Sequence, residues 1–308
     1  MKEVIIGTRS SQLAIAQSKL IANKLADEFP EYEFNLKEIT TQGDKILDKQ
    51  LREIGGKSLF IKEIEVALLE KEIDLAIHSL KDMPAQIDDE LEIAAFPKRA
   101  NPLDALITED DKTIDELEPG AKIGTGSLRR KAQLLNYRSD LVVKPIRGNI
   151  DTRLDKLANL DLSGIVLAVA GLERMGWEDK ISQYLSPQIS IPAAGQGALA
   201  LETRADDEAI KELLFSVQDQ ETIDTVQAER SFLEHLGGDC KTPIGAYAQI
   251  EGERLNLSGM VANENGTKLL CDNLVGSRDK AAKIGVDLAQ ELIEQGAAEI
   301  LAEIEEVN

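Results

Sequence analysis

Cysteine, histidine and aromatic residues are scarce in this chain, and each scarcity narrows what the protein can be. The two cysteines, Cys240 and Cys271, and the two histidines, His78 and His235, form neither a disulfide framework nor a metal-ligand spacing. No metal site is therefore expected. No apolar run approaches the length of a membrane span, and Met1 leads straight into Val4-Ile5-Ile6 without the charged, apolar and small-residue pattern of a secretory signal. The expectation is a cytoplasmic protein whose cysteines stay reduced. Positive charge is short as well: 35 basic against 56 acidic residues leave a net charge of -21, which repels nucleic acid and anionic membranes at long range. Neither is expected as a partner, and an anionic ligand would need a local basic cluster.

What is present is a repeated α/β texture in 308 residues, enough for two or three domains. Val4-Ile5-Ile6 runs through Gly7-Thr8-Arg9-Ser10-Ser11 into Leu13, Ala16, Leu20, Ile21 and Leu25 at helical spacing. Lys122-Ile123 repeats the design, passing through Gly124-Thr125-Gly126-Ser127 into Leu128, Ala132 and Leu135. Further apolar runs at 75–77, 141–143 and 165–167 alternate with helical stretches, as in mainly parallel sheets. Proline- and glycine-punctuated stretches at 97–102 and 187–197 flank the second unit, so the chain is expected to leave domain one and return. Beyond about residue 218, Leu255 and Leu257 alternate with polar residues, and a helical pattern follows Ser277. The expected fold is α/β: two α/β lobes, the first discontinuous (1–97 and 198–217), the second at 98–197, and a small α+β domain with an antiparallel sheet at 218–308.

Five arginines, Arg129, Arg130, Arg147, Arg153 and Arg174, fall at or near turns and helix starts of the second unit. A guanidinium binds carboxylate through a planar fork, and helix starts bearing Ser or Thr add donors, so the set suits a ligand with several carboxylates. Taken singly, each arginine is equally well read as a partner of the abundant surface acids. The segment His78-Ser79-Leu80-Lys81-Asp82-Met83-Pro84 follows the strand at 75–77, where open α/β sheets feed their sites. Asp82 is a candidate acid-base carboxylate there, and an ordinary turn residue on the plainer reading; His78 reads as a satisfied strand-end histidine. Cys240 lies in the glycine loop Gly237-Gly238-Asp239-Cys240-Lys241, with a lysine able to lower its pKa, whereas Cys271 sits in an apolar strand pattern and is expected to be buried and inert. His235, five residues before Cys240, is weak support for a Cys-His hydrolase, since proximity in sequence does not make a dyad. Gly55-Gly56-Lys57-Ser58 is no phosphate loop, because Leu51 stands where the first glycine is required. It reads better as a glycine-hinged lid.

Gly7-Thr8-Arg9, Gly55-Gly56-Lys57, His78 to Pro84, Gly124 to Arg130, Arg147-Gly148-Asn149 and Gly195-Gln196-Gly197, in this order, resemble the hydroxymethylbilane synthase, or porphobilinogen deaminase, family across the whole chain. The resemblance implies two periplasmic-binding-protein-like lobes plus the small third domain. It also implies a dipyrromethane cofactor joined by a thioether to Cys240, onto which four porphobilinogen molecules are condensed with loss of ammonia before hydrolysis frees the linear product. By residue match, Ser79, Lys81, Asp82, Thr125, Ser127, Arg129, Arg130 and Arg147 are expected to hold the cofactor. Arg9, Ser11, Arg147, Arg153, Arg174 and Gln196 are expected to bind substrate, and Asp82 to act in catalysis. Lys57 and Phe60 belong to the implied lid loop, and the protein is expected to be a monomer. Three positions depart from the family pattern: Gln12 replaces a common proline, Ser58 a glycine, and Asp239 the glycine before the cysteine. A carboxylate at Asp239 raises a neighbouring thiol pKa, with Lys241 opposing it. Two other functions fit parts of the pattern: a solute-binding module, which would need no third domain with a cysteine, and a ligand-sensing regulator, for which the chain offers no DNA-binding helix.

Overall fold

The computed structural model describes residues 2–41, 61–84, 87–239 and 242–306. By compactness the chain divides into a first unit, Met1–Ala100 with Ala198–Ile223, and a second, Asn101–Gly197 with Asp224–Asn308.

In the first unit, strands β1 (Lys2–Arg9), β2 (Tyr32–Ile39), β3 (Leu75–Ser79), β4 (Leu91–Ala95) and β10 (Leu199–Arg204) form one sheet in the order β2-β1-β3-β10-β4. β1 runs parallel to β2 and β3, while β10 is antiparallel to both of its neighbours. The helix Gln12–Glu28 starts at Ser11, whose hydroxyl accepts from the Ala14 amide at 3.3 Å and so satisfies one of the free donors of the first turn. Its buried face is Gln17, Ser18, Ile21, Ala22 and Leu25. Leu20, expected on that stripe, is 43% exposed, because a turn of 100° per residue carries it to the far flank of the face that Ile21 and Leu25 define. Gly7 leaves room for the turn that leads into β3: a β-carbon there would come 2.3 Å from Ile73 Cδ1, and that side chain would have to move.

The second unit repeats this plan. Strands β5 (Asp104–Ile107), β6 (Lys122–Gly124), β7 (Val142–Lys144), β8 (Gly164–Ala168) and β9 (Gln183–Leu185) take the order β7-β6-β8-β5-β9. β6 is parallel to β7 and β8, and β5 is antiparallel to β8 and β9. In both sheets the reversed strand stands fourth and is the first strand after one of the two punctuated stretches: β5 follows 97–102, and β10 follows 187–197. The helices Leu128–Tyr137 and Ile150–Asn159 follow β6 and β7.

The C-terminal part of this unit holds β11 (Ile244–Glu251), β12 (Arg254–Ala262) and β13 (Leu269–Ser277) in an antiparallel sheet, with the helices Ala281–Glu294 and Ala297–Glu306 and all but the first turn of the helix Gln220–His235. Phe232, Leu255, Leu257, Leu288 and Leu292 form its core. Cys271, expected to be buried, is exposed: it lies on the open face of the edge strand β13, where burial alternates residue by residue. The turn between β12 and β13 presses on the helix Leu128–Tyr137, since Gly266, at φ +70°, would bring a β-carbon within 2.1 Å of the Ala132 carbonyl oxygen, and its own carbonyl accepts from Asn136 at 3.1 Å.

Candidate active site

In the first unit the sheet delivers its polar residues where β1 and β3 end. Arg9 closes β1, Ser79 closes β3, and the short 3-10 turn Leu80–Asp82 follows directly. The turn is pinned from below, with Leu80 and Met83 buried and the Leu80 amide donating to the Ala198 carbonyl at 3.1 Å. Asp82 is left exposed at its end. Arg9, Gln17, His78, Ser79 and Asp82 line one pocket, walled by Ala14, Ile61 and Ile77. Gln17 Nε2 donates to Ser79 Oγ at 3.0 Å. Behind the pocket, His78 Nε2 lies 3.0 Å from Glu202 Oε2, both side chains buried, so His78 has the satisfied setting expected of it. Lys81 is half-buried on the same turn, and Ser11 is engaged in capping its helix.

In the second unit the arginines divide into two groups. Arg129 and Arg130, in the first turn of their helix, are both buried and converge on Asp104 at the start of β5. Arg129 Nη1 donates to Asp104 Oδ2 at 2.8 Å, and Arg130 donates to Oδ1 through Nε at 3.0 Å and Nη2 at 2.7 Å. Ser190 Oγ donates to Oδ2 at 2.7 Å and Gln196 Nε2 to Oδ1 at 2.8 Å. Complete burial alone would raise the Asp104 carboxyl, but the charges of Arg129 and then Arg130, with their hydrogen bonds, overcome it and hold the group well below the usual carboxylate range. It is a carboxylate at any working pH.

The helix bearing these arginines starts at Ser127, whose hydroxyl accepts from the Arg130 amide at 3.4 Å, while Thr125 Oγ1 accepts from the Ser127 amide at 3.2 Å. Gly126 is obligatory in this turn: a β-carbon would stand 2.7 Å from the Ile146 carbonyl oxygen, immediately before Arg147. Arg147, Arg153 and Arg174 are less enclosed. Arg147 Nη1 is buried without a hydrogen-bond partner, as is Arg174 Nε, although Arg174 Nη2 donates to the Gly197 carbonyl at 2.7 Å. Burial lowers the Arg174 pKa to about 10, with Glu173 opposing the shift. Arg153 Nε donates to the Gly148 carbonyl at 2.8 Å.

The structure thus gathers Arg9, Ser79 and Asp82 in one pocket and Arg129, Arg130 and Gln196 around one carboxylate. Cys240, Lys57 and Phe60 lie outside the described residues. Sequence reasoning overlooked Gln17, Asp104 and Ser190. Asp104 did carry a signal, being the one ionisable residue in the buried strand Asp-Ala-Leu-Ile; a charge in such a run has to be paired.

Residues 4–212 match the family model described as porphobilinogen deaminase, dipyromethane cofactor binding domain, and residues 223–294 match the porphobilinogen deaminase C-terminal domain. Among curated relatives, the porphobilinogen deaminase of Alkaliphilus metalliredigens is 47% identical over 308 residues, 100% of this chain and 98% of that one. The porphobilinogen deaminase of Brevibacillus brevis is 50% identical, covering 97% of this chain and 96% of its own. The porphobilinogen deaminase of Natranaerobius thermophilus is 50% identical over 98% of both. A solved extracellular-binding protein of a probable amino-acid ABC transporter from Bacillus subtilis is far more remote, at 12% identity and a TM-score of 0.42 over 70% of this chain and 90% of that one.

Proposed function

Since this chain belongs to the porphobilinogen deaminase family, we propose that the residues described above carry the family's reaction in it, with Asp82 as the catalytic carboxylate. The protein is a transferase, hydroxymethylbilane synthase: it condenses four porphobilinogen molecules head to tail on a dipyrromethane cofactor, releases ammonia at each addition and hydrolyses the product from the primer.

The chain's own donors suit a cofactor and substrate that carry an acetate and a propionate on every ring. Arg147 Nη1 and Arg174 Nε are buried donors with no protein acceptor, and burying such a group is costly unless something bonds it. Arg129 and Arg130 bring two positive charges to a single carboxylate. When bound, the dipyrromethane supplies the carbon to which each new pyrrole is joined. Lys81, Thr125, Ser127, Arg129, Arg130 and Arg147 would hold its carboxylates, Ser79 would line its cradle, and Cys240 would anchor it. Arg9, Ser11, Arg147, Arg153, Arg174 and Gln196 would take the carboxylates of substrate and growing chain.

Asp82 supports the catalytic role by its setting. It lines a pocket with Arg9 and Ser79, at the end of a turn whose Leu80 and Met83 are buried, and among the described residues it forms no ion pair. A carboxylate held there opposes the positive charge that develops as ammonia leaves, and it can accept and return the pyrrole proton. Lys57 and Phe60 belong to the proposed lid. The same reading takes the chain as three domains, 1–97 with 198–217, 98–197 and 218–308, acting as a cytoplasmic monomer without nucleic acid or membrane partners. Among the described residues no helix is long and apolar enough to cross a membrane.

The test is product stoichiometry. Purified protein given porphobilinogen is expected to release one ammonia for each porphobilinogen consumed and to yield a linear tetrapyrrole. Saturable binding of porphobilinogen with no ammonia released would instead make the protein a solute-binding module.

A further inference from the structure

The groups that bond Asp104 come from two places in the chain, both distant from it in sequence. Arg129 and Arg130 come from the start of the helix Leu128–Tyr137, and Ser190 and Gln196 from the loop before β10. Both arginines are also tied to backbone: Arg129 Nη1, which bonds Asp104, donates as well to the Ile191 carbonyl at 2.5 Å, and Arg130 Nη1 donates to the Val166 carbonyl at 3.0 Å. Both guanidiniums are thereby held in one orientation. The charges do not balance, since one carboxylate faces two guanidiniums and the remaining groups on it, Ser190 and Gln196, are neutral. One positive charge is left over in a buried place, where an uncompensated charge is costly.

We propose that Asp104 is the positioning residue of this arginine pair: it fixes both guanidiniums to β5 and, by cancelling only one charge, leaves the other for a carboxylate of the dipyrromethane cofactor. The inference rests on the reading of Arg129 and Arg130 as carboxylate binders. Asp104 does not touch the ligand; it acts through the two arginines. A neutral residue at 104 would leave two positive charges to repel each other, and a second acid would leave none for the ligand. The single buried acid is the count that both holds the pair and keeps it attractive to an anion.

Two variants separate charge from reach. Asp104→Asn removes the charge in the same shape, and Asp104→Glu keeps the charge while pushing the guanidiniums outward by one methylene. Full-length wild type and both variants would be given porphobilinogen, and the fraction carrying the covalent two-ring increment followed by denatured intact mass, beside the melting temperature. The Glu variant is expected to stay folded and to load about 100-fold more slowly, the scale of a displacement of about 1 Å in a positioning group. Its loaded fraction should show a raised KM at little-changed kcat. Should the Asn variant fail to fold, the Glu variant decides alone. Loading at the wild-type rate in a folded Glu variant would overturn the inference, as would slow loading that is restored simply by working further below the variant's melting temperature. A wild-type chain that never gains the increment would overturn the cofactor reading beneath it, an outcome distinct from equal loading in all three proteins.

Discussion

Asp82→Asn is expected to give a protein that folds and carries its cofactor like the wild type but releases ammonia from porphobilinogen about 10²- to 10⁴-fold more slowly, the range of a lost general acid-base group. The separation of effects follows from where the residue sits. Leu80 and Met83 carry the buried contacts of the turn, and the Leu80 amide is held by Ala198; Asp82 itself is exposed. An exposed side chain with no core role changes stability by only about 0.5 kcal/mol or less. Thermal melting and intact mass should therefore match the wild type, while the rate of ammonia release collapses. Turnover at the wild-type rate would remove Asp82 from catalysis, and loss of the bound cofactor would make it an anchoring residue instead.

Arg147→Gln should act in the opposite sense on stability and activity. Its Nη1 is buried with no protein acceptor, so the folded chain bears the cost of a desolvated charged donor. Removing that donor should leave the melting temperature unchanged or raise it. The backbone role survives, because it is the Arg147 carbonyl that accepts from Lys156 Nζ at 2.8 Å. What is lost is a charged hydrogen bond to a ligand carboxylate, about 1.5–3 kcal/mol, which lowers kcat/KM about 10- to 100-fold. Steady-state kinetics with porphobilinogen and a thermal melt check both halves. A destabilised variant with unchanged kcat/KM would mean that the guanidinium serves the fold and not the ligand.

The strand-turn-helix units were legible in the sequence because they rest on local chemistry: apolar spacing, a Ser cap at residue 11 or 127, and glycines at the turns. The alternation of Leu255 and Leu257 likewise marked β12. Strand direction was not legible. The short runs that become β5 and β10 carry no local mark of their direction, and only pairing with partners far away in sequence sets them antiparallel in otherwise parallel sheets. Burial at the margins was missed for a related reason. Cys271 carries an apolar-looking neighbourhood, yet the pleat turns its side chain to the solvent side of β13.

The candidate site divides along the same line. The types of residue a polyanionic ligand needs could be read directly, and so could their place at turns and helix starts. Which arginines were already bonded to protein could not. Asp104 lies 25 residues before Arg129, and Glu202 lies 124 residues beyond His78. Nothing in local spacing ties these partners together, and they meet only once the sheets form.

The central claim is a covalent two-ring primer on Cys240. Its most direct test is the denatured intact mass of the purified chain, before and after porphobilinogen, beside Cys240→Ala. The wild type is predicted to carry an increment of two porphobilinogen units less two ammonia, and the Ala variant none under any condition. A wild-type chain at its bare polypeptide mass that porphobilinogen cannot shift, or an increment that survives in Cys240→Ala, would contradict the account.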